Sequence, residues 1–152
     1  MSERLAVVTD AERACEALMI RYTHLVDFGP GAEVAGLFTT DGVWSSGEET
    51  YRGHVELRAF FGRDRGHTTS RHVLSNALVT VNDDGTAGGL SYFTLYRDTE
   101  ARPRVPDLDG QPVILGQYRD RFVQTDDGWR IAHRQAEVGF VRRSTLKHQS
   151  GG

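Results

Sequence analysis

The spacing of apolar residues changes once along this chain, from a helical period to a period of two, and the order of that change sets the fold class. Ala11, Cys15, Leu18, Tyr22 and Leu25 recur at steps of four, three, four and three, which is one stripe of an amphipathic helix. Asp10 reads as its N-cap, and Asp27-Phe28-Gly29-Pro30-Gly31 stops it. A shorter helix from Ala32 to Phe38 buries Val34, Leu37 and Phe38. Gly42-Val43-Trp44-Ser45 reads as a short strand, and Tyr51-Arg52-Gly53 leads into a third helix from about His54 to Phe61. Every long β element lies after this point. His72 to Val81 and Gly88 to Arg97 alternate as strands joined by Asn82-Asp83-Asp84-Gly85, and Val113 to Thr125 pairs with Trp129 to Phe140 through Asp126-Asp127-Gly128. The polar, proline-bearing stretch from Asp98 to Gln111 reads as a loop or lid. Helices first and antiparallel strands afterwards predict an α+β fold, a curved mixed sheet capped by the N-terminal helices. Such a sheet makes a cone whose closed end is core and whose open end suits one small apolar ligand.

A chain of 152 residues can bury the core of one domain, expected over residues 8–141, with 142–152 as a frayed polar tail. Its net charge of -3 argues against nucleic acid, which needs a basic face. The single Cys15 lies on the helical stripe, where packing is its expected role, and it cannot form an internal disulfide. Neither a signal peptide nor an apolar run of about 18 residues is visible, so a cytoplasmic protein without a membrane span is expected.

Within this frame His72 is anomalous, because it opens a strand at a position where alternation favours an apolar side chain. By strict alternation His72, Leu74, Asn76 and Leu78 share one face, so a titratable ring and an amide point the same way. Tyr22 and Asp27 close the first helix, and Asp27 offers a carboxylate able to orient the imidazole as a base. Each residue also has a plainer reading. His72 can be a buried histidine held by a backbone carbonyl, Asp27 a residue capping the helix-ending turn, and Tyr22 a core aromatic. Asn76 can hold a ligand oxygen or a neighbouring backbone group, while Trp44, Phe60, Phe61, Phe93 and Tyr118 are pocket or core aromatics. Asp120, between Arg119 and Arg121, reads as a surface ion pair. The six histidines show no His-x3-His spacing and no metal is expected; no glycine-rich phosphate loop or Gly-x-Ser-x-Gly elbow occurs.

Taken together, Tyr22-x4-Asp27, Trp44, His72-x3-Asn76, Gly116-x-Tyr118-x-Asp120 and Gly128-Trp129-Arg130-Ile131 resemble the nuclear transport factor 2-like superfamily, specifically SnoaL-like proteins. The spacing looks most like scytalone dehydratase, bile-acid 7α-dehydratase and hexachlorocyclohexane dehydrochlorinase, enzymes that share an Asp-His pair in the cone. This resemblance implies that Asp27 orients His72, that His72 abstracts a proton, that Tyr22 is a polar pocket residue and that Arg134 matches an arginine of the pocket. Tyr22 with Arg134 or His133 would stabilise developing negative charge. Strict alternation from Trp129 and Ile131 puts His133 on their face and Arg134 on the other, so either a bulge re-aims Arg134 or His133 is the inward residue. An acidic residue of the bile-acid enzyme's central strand has no counterpart in Ser91-Tyr92-Phe93-Thr94-Leu95-Tyr96.

The resemblance thus implies a cofactor-independent lyase or isomerase acting on a small apolar molecule, such as a steroid-like, polyketide-like or aromatic compound. Trp44, Asn76, Phe61, Phe93, Tyr118 and His133 are the expected substrate contacts, and a homodimer or higher assembly is expected. A polyketide cyclase using the same pocket is the alternative enzyme. A non-catalytic ligand-binding or dimerisation module is the third reading; it expects Asp27 and His72 out of hydrogen-bond reach, or a pocket filled by side chains.

Overall fold

The computed structural model describes residues 3–100, 105–108 and 113–143. Helix α1, Glu3–Phe28, buries the expected stripe of Ala11, Cys15, Leu18 and Tyr22, extended by Met19 and Val26. It begins well before Asp10, which is an exposed residue inside the helix and not its cap. Once a helix is nucleated, each further turn costs little, and the Ala6-Val7-Val8 segment continues the ladder without needing a cap at Asp10. Gly29, at a φ of 75°, ends α1 and donates its N–H to the Leu25 carbonyl at 2.9 Å, an arrangement glycine adopts without steric penalty.

The short helix expected next is a 3-10 segment, Gly31–Leu37, and Phe38 already belongs to strand β1, Phe38–Ser46. Strand β2, Glu49–Arg52, was not expected as a strand; it pairs antiparallel with β1, and helix α2, Gly53–Phe61, follows. The long strands β3, Thr69–Val81, β4, Ala87–Asp98, β5, Val113–Thr125, and β6, Gly128–Arg142, lie within a few residues of their predicted bounds. Together they form a six-stranded, curved, unclosed sheet in the order β2-β1-β6-β5-β4-β3. β1 runs parallel to β6 and every other neighbouring pair is antiparallel, which makes the sheet mixed. The fold is therefore the α+β cone expected. The 98–111 loop lies outside the described residues at 101–104 and 109–111, and the expected tail does so from 144 onward. No helix among the described residues is long and apolar enough to cross a membrane.

The core lies between helices and sheet, where α1, the 3-10 segment and α2 contribute Met19, Val34 and Leu57 and the sheet contributes Phe38, Phe122 and Ile131, all essentially inaccessible. Burying side chains of this size stabilises the fold by about 1.5–3 kcal/mol each.

Two bulges decide which residues face this interior. In β6, Arg121 pairs with His133 and Phe122 with Ile131, leaving Ala132 as an extra residue. The phase of β6 shifts there, so Ile131, Arg134 and Ala136 are buried while His133 turns to the other face. In β3, Ser75 pairs with Tyr92 and Leu78 with Leu90, so Asn76 and Ala77 oppose Ser91 alone. Asn76 takes a φ of 49°, which asparagine tolerates better than most residues. The bulge turns Leu78 out, 66% exposed, and Val79 in, so His72, Leu74, Asn76 and Leu78 do not share one face as strict alternation had it.

Candidate active site

A cavity of about 240 Å³ is lined by aromatic side chains from α1, β1, α2, β4 and β5, by the His72 ring and by Arg63, Arg65 and Arg97. At its wall stands the Asp27–His72 pair. Asp27 is the penultimate residue of α1, and His72 lies near the start of β3, so one carboxylate bridges a helix end and a strand. His72 Nδ1 lies 2.6 Å from Asp27 Oδ1, the His72 backbone N–H donates to Oδ2 at 2.6 Å, and Ser70 Oγ donates to Oδ1 at 3.0 Å. Both side chains are more than nine-tenths buried.

Burial by itself would push the Asp27 carboxyl up. The hydrogen bonds from the His72 ring, the His72 backbone and Ser70 outweigh it and hold the group below the usual carboxylate range. An ionised carboxylate only accepts hydrogen bonds, so Nδ1 carries the ring proton. In the neutral ring Nε2 is then the free lone pair, the basic atom of a histidine that lines the cavity.

Around it the aromatic residues interlock. Phe93 stacks on Tyr118 with ring centroids 4.5 Å apart, and Tyr22 meets Tyr118 and Phe61 edge-on at 5.6 and 5.7 Å. Close approach here depends on Gly116, where a Cβ would come within 2.2 Å of the Glu137 carbonyl and 2.6 Å of the Phe93 ring. Trp44 Nε1 donates to the Tyr22 hydroxyl at 2.9 Å. Burial pushes the Tyr22 phenol up to about 12, against the pull of Arg134, so it keeps its proton at neutral pH and can donate it to an oxygen in the cavity.

Arg134 lies beneath this layer, fully buried. Its Nε and Nη2 donate to the two oxygens of Asp120 at 2.8 and 2.7 Å, and its guanidinium carbon stands 4.3 Å from the centroids of both Tyr22 and Tyr118. Burial would lower the pKa of Arg134, but Asp120 raises it beyond the ordinary value. Asp120 is thus an interior partner and not the surface residue its flanking arginines suggested, because Tyr118, Asp120 and Phe122 all follow the inward phase of β5.

The structure brings His72, Tyr22, Trp44, Phe61, Phe93 and Tyr118 together on the cavity, with Asp27 behind His72 and Arg134 behind the tyrosines. Two expected contacts lie elsewhere. His133 faces a recess on the far side of the sheet with Arg121, and its Nε2 is 3.0 Å from Ser45 Oγ. Asn76 is exposed at the β3 bulge. Sequence reasoning passed over Ser70 and three arginines of the cavity, Arg63, Arg65 and Arg97. Arg97 had a readable signal, since it continues the inward phase of Phe93 and Leu95 where a charge is out of place. Among the described residues no group of three or more His, Cys, Asp or Glu side chains converges as metal ligands would.

No curated protein matches the sequence significantly. Among solved structures, a variant of Rv3472, a function-unknown protein from Mycobacterium tuberculosis, is 27% identical, with a TM-score of 0.67 over 83% of this chain and 70% of that one. An NTF2-like protein with a cystatin-like fold from Novosphingobium aromaticivorans is 22% identical, with a TM-score of 0.68 over 97% and 88% of the two chains. A hexachlorocyclohexane dehydrochlorinase, LinA type 2, shares the fold at 14% identity and a TM-score of 0.74, over 97% and 95%. Residues 8–135 match the SnoaL-like domain, so α1 from residue 8 onward, α2, the sheet as far as Gln135 and both members of the Asp27–His72 pair fall inside it, and the chain belongs to the SnoaL-like family.

Proposed function

We propose that the chain is a cofactor-independent lyase of the dehydratase kind, or an isomerase, in which His72 abstracts a proton from a small, largely apolar substrate. The observation that carries this reading is the Nδ1 contact with Asp27, which leaves Nε2 as the free base of a largely buried ring that lines the cavity. Asp27 holds the tautomer and stabilises the imidazolium that forms as the C–H proton moves to Nε2. The electron pair left on carbon then either expels a leaving group beside it or returns to a proton at another position. Tyr22 donates a hydrogen bond to the oxygen on which negative charge develops, its own hydroxyl steadied by Trp44. Arg134, committed to Asp120, acts as a positioning residue under Tyr22 and Tyr118.

At about 240 Å³ the cavity lies below the roughly 300–1,000 Å³ of drug-sized ligand sites, which favours a single-ring molecule over a steroid-like one. A homodimer through the outward face of the sheet fits the same reading, supported by the exposed Val73, Tyr92, Leu115 and Phe140 there.

Proton exchange into D2O tests the function. Cyclic and aromatic carbonyl compounds bearing a hydroxyl or halogen beside an acidic C–H are incubated with the protein, and deuterium uptake and elimination are followed by NMR. General-base catalysis contributes about 10²–10⁴-fold, so His72→Ala should reduce the rate by at least that lower factor while its circular dichroism stays native. Undiminished exchange in a folded His72→Ala protein overturns the assignment.

A further inference from the structure

Three guanidinium groups share the cavity with His72, and the proton-abstraction chemistry proposed above gives none of them a role. Arg63 and Arg65 come from the segment after α2, and Arg97 comes from β4. Arg97 pairs across the strands with Ser70 and Leu95 pairs with His72, so Arg97 stands diagonal to the catalytic ring on the same face. Diagonal neighbours of this kind are about 7–8 Å apart, close enough for a single small molecule to touch both.

The two loop arginines are anchored at one end each. Arg65 Nη1 donates to the Val26 carbonyl at 2.7 Å, and Arg63 Nη1 donates to the Phe60 carbonyl with its guanidinium carbon 4.0 Å above the Phe60 ring. Arg97 is half-buried and its Nε is buried with no hydrogen-bond partner. Burial first, and then the like charges of Arg65 and Arg63, pull the pKa of Arg97 below its ordinary value, while Asp27 works the other way. Of the carboxylates nearby, Asp27 is taken by His72 and Ser70, and Glu49, a charged side chain exposed at the cavity rim, makes no ion pair with Arg63, Arg65 or Arg97 among the described residues. A cavity faced by three guanidiniums, with Arg63 and Arg65 both repelling Arg97 and the Arg97 Nε donor buried and unmet, is an environment that an anion would stabilise.

The geometry points to a carboxylate on the substrate: the cavity takes a small aromatic or alicyclic acid, its ring among Trp44, Phe61, Phe93 and Tyr118 and its carboxylate on Arg97 with Arg63 and Arg65. A carboxylate satisfies the guanidinium fork with paired charge-assisted hydrogen bonds, and it fits a cavity too small for a bulkier anion beside a ring. The inference shares its cavity with the proposed lyase reading but does not rest on it for the choice of ligand.

Calorimetric titration of the full chain with benzoate and with its neutral isostere benzamide is the test. Benzoate should bind at least about tenfold more tightly, a preference equivalent to roughly 1.4 kcal/mol, and the preference should shrink at high salt. Arg97→Gln should lose benzoate affinity by about tenfold or more with benzamide unchanged. Should Arg97→Gln fail to fold, Arg63→Gln, at an exposed position, keeps the question open to measurement; its benzoate affinity should fall about threefold. Equal affinity for the two ligands, or a preference for benzoate that survives in the folded arginine variants, overturns the carboxylate site. His72→Ala separates the two claims, because it removes proton exchange if the lyase reading is right and leaves the benzoate preference intact if the carboxylate site is right.

Discussion

Asp27 grips His72 twice, at the ring through Oδ1 and at the backbone through Oδ2, both at 2.6 Å. The second contact matters as much as the first, because it fixes where the strand carries the ring as well as which tautomer the ring adopts. A carboxylate used this way ties α1 to β3, so its replacement has consequences for stability as well as for chemistry.

Asp27→Asn should therefore destabilise the fold by about 1.5–3 kcal/mol at neutral pH, the usual worth of hydrogen bonds to a charged group. The folded carboxyl sits below the ordinary range and an unfolded aspartate titrates near about 3.9. Its contribution is thus fully present above that value and is lost as pH falls through the folded pKa. Urea midpoints of both proteins at neutral and acid pH check this: the gap between them should narrow on acidification, and a constant gap would show that the charge plays no part.

Tyr22 carries the opposite sign. Its folded pKa, pushed up to about 12, exceeds the roughly 10 of an unfolded tyrosine, so unfolding releases a proton between those values and wild-type stability falls as pH rises through them. Tyr22→Phe removes this loss. Denaturation curves at neutral pH should favour the wild type, which retains the Trp44 hydrogen bond, and by about pH 12 that advantage should have shrunk or reversed.

The Asp120–Arg134 pair is fully buried, and removing one member leaves the other charged in the interior. Asp120→Ala should cost about 3–5 kcal/mol, whereas Asp120→Leu with Arg134→Met should recover much of that loss. Because Arg134 supports the rings of Tyr22 and Tyr118, the double variant should also lower the turnover number more than it raises KM. A double variant with the stability of the single one would mean that packing and not the stranded charge sets the cost.

Gly116→Ala places a methyl group against the Glu137 carbonyl and the Phe93 ring. Overpacking of this kind costs about 1–3 kcal/mol, and relief requires the β6 backbone at Glu137 to move away from β5 as well as Phe93 to shift on Tyr118. A thermal melt reads the first effect, and ring-proton chemical shifts of Phe93 and Tyr118 read the second; an unchanged melt with unchanged shifts would refute both.

Much of this arrangement is visible in the chain itself. The stripe from Ala11 to Leu25 and the two hairpins set off by Asp-Gly turns have strong, long-range periodicity, and both emerge in the structure. His72 stands out because a titratable ring occupies a position whose pattern calls for an apolar residue, and Tyr22 and Asp27 because they close an otherwise apolar helix. What periodicity does not carry is a change of phase within a strand. Ala132 gives no local sign of being an extra residue, so the choice between His133 and Arg134 stayed open until pairing with β5 was known. Asn76 offers more, as a residue that tolerates a positive φ, and at this position its backbone, not its amide, is what the bulge uses. β2 is only four residues long and β1 is irregular between Phe38 and Val43, so neither shows a clean alternation. Arg63 and Arg65 lie in a loop, where no pattern exists to make a charge conspicuous.

Strand β3 has a neighbour on one side only, so His72 rides on the margin of the sheet. A marginal strand can fray without unzipping the strands inside it, and local opening of this kind requires less free energy than global unfolding. Mild heat or denaturant would then abolish the proposed proton exchange while the interior remained intact, so that the lifetime of that exchange, and not the melting temperature, measures how firmly the Asp27 clasp holds.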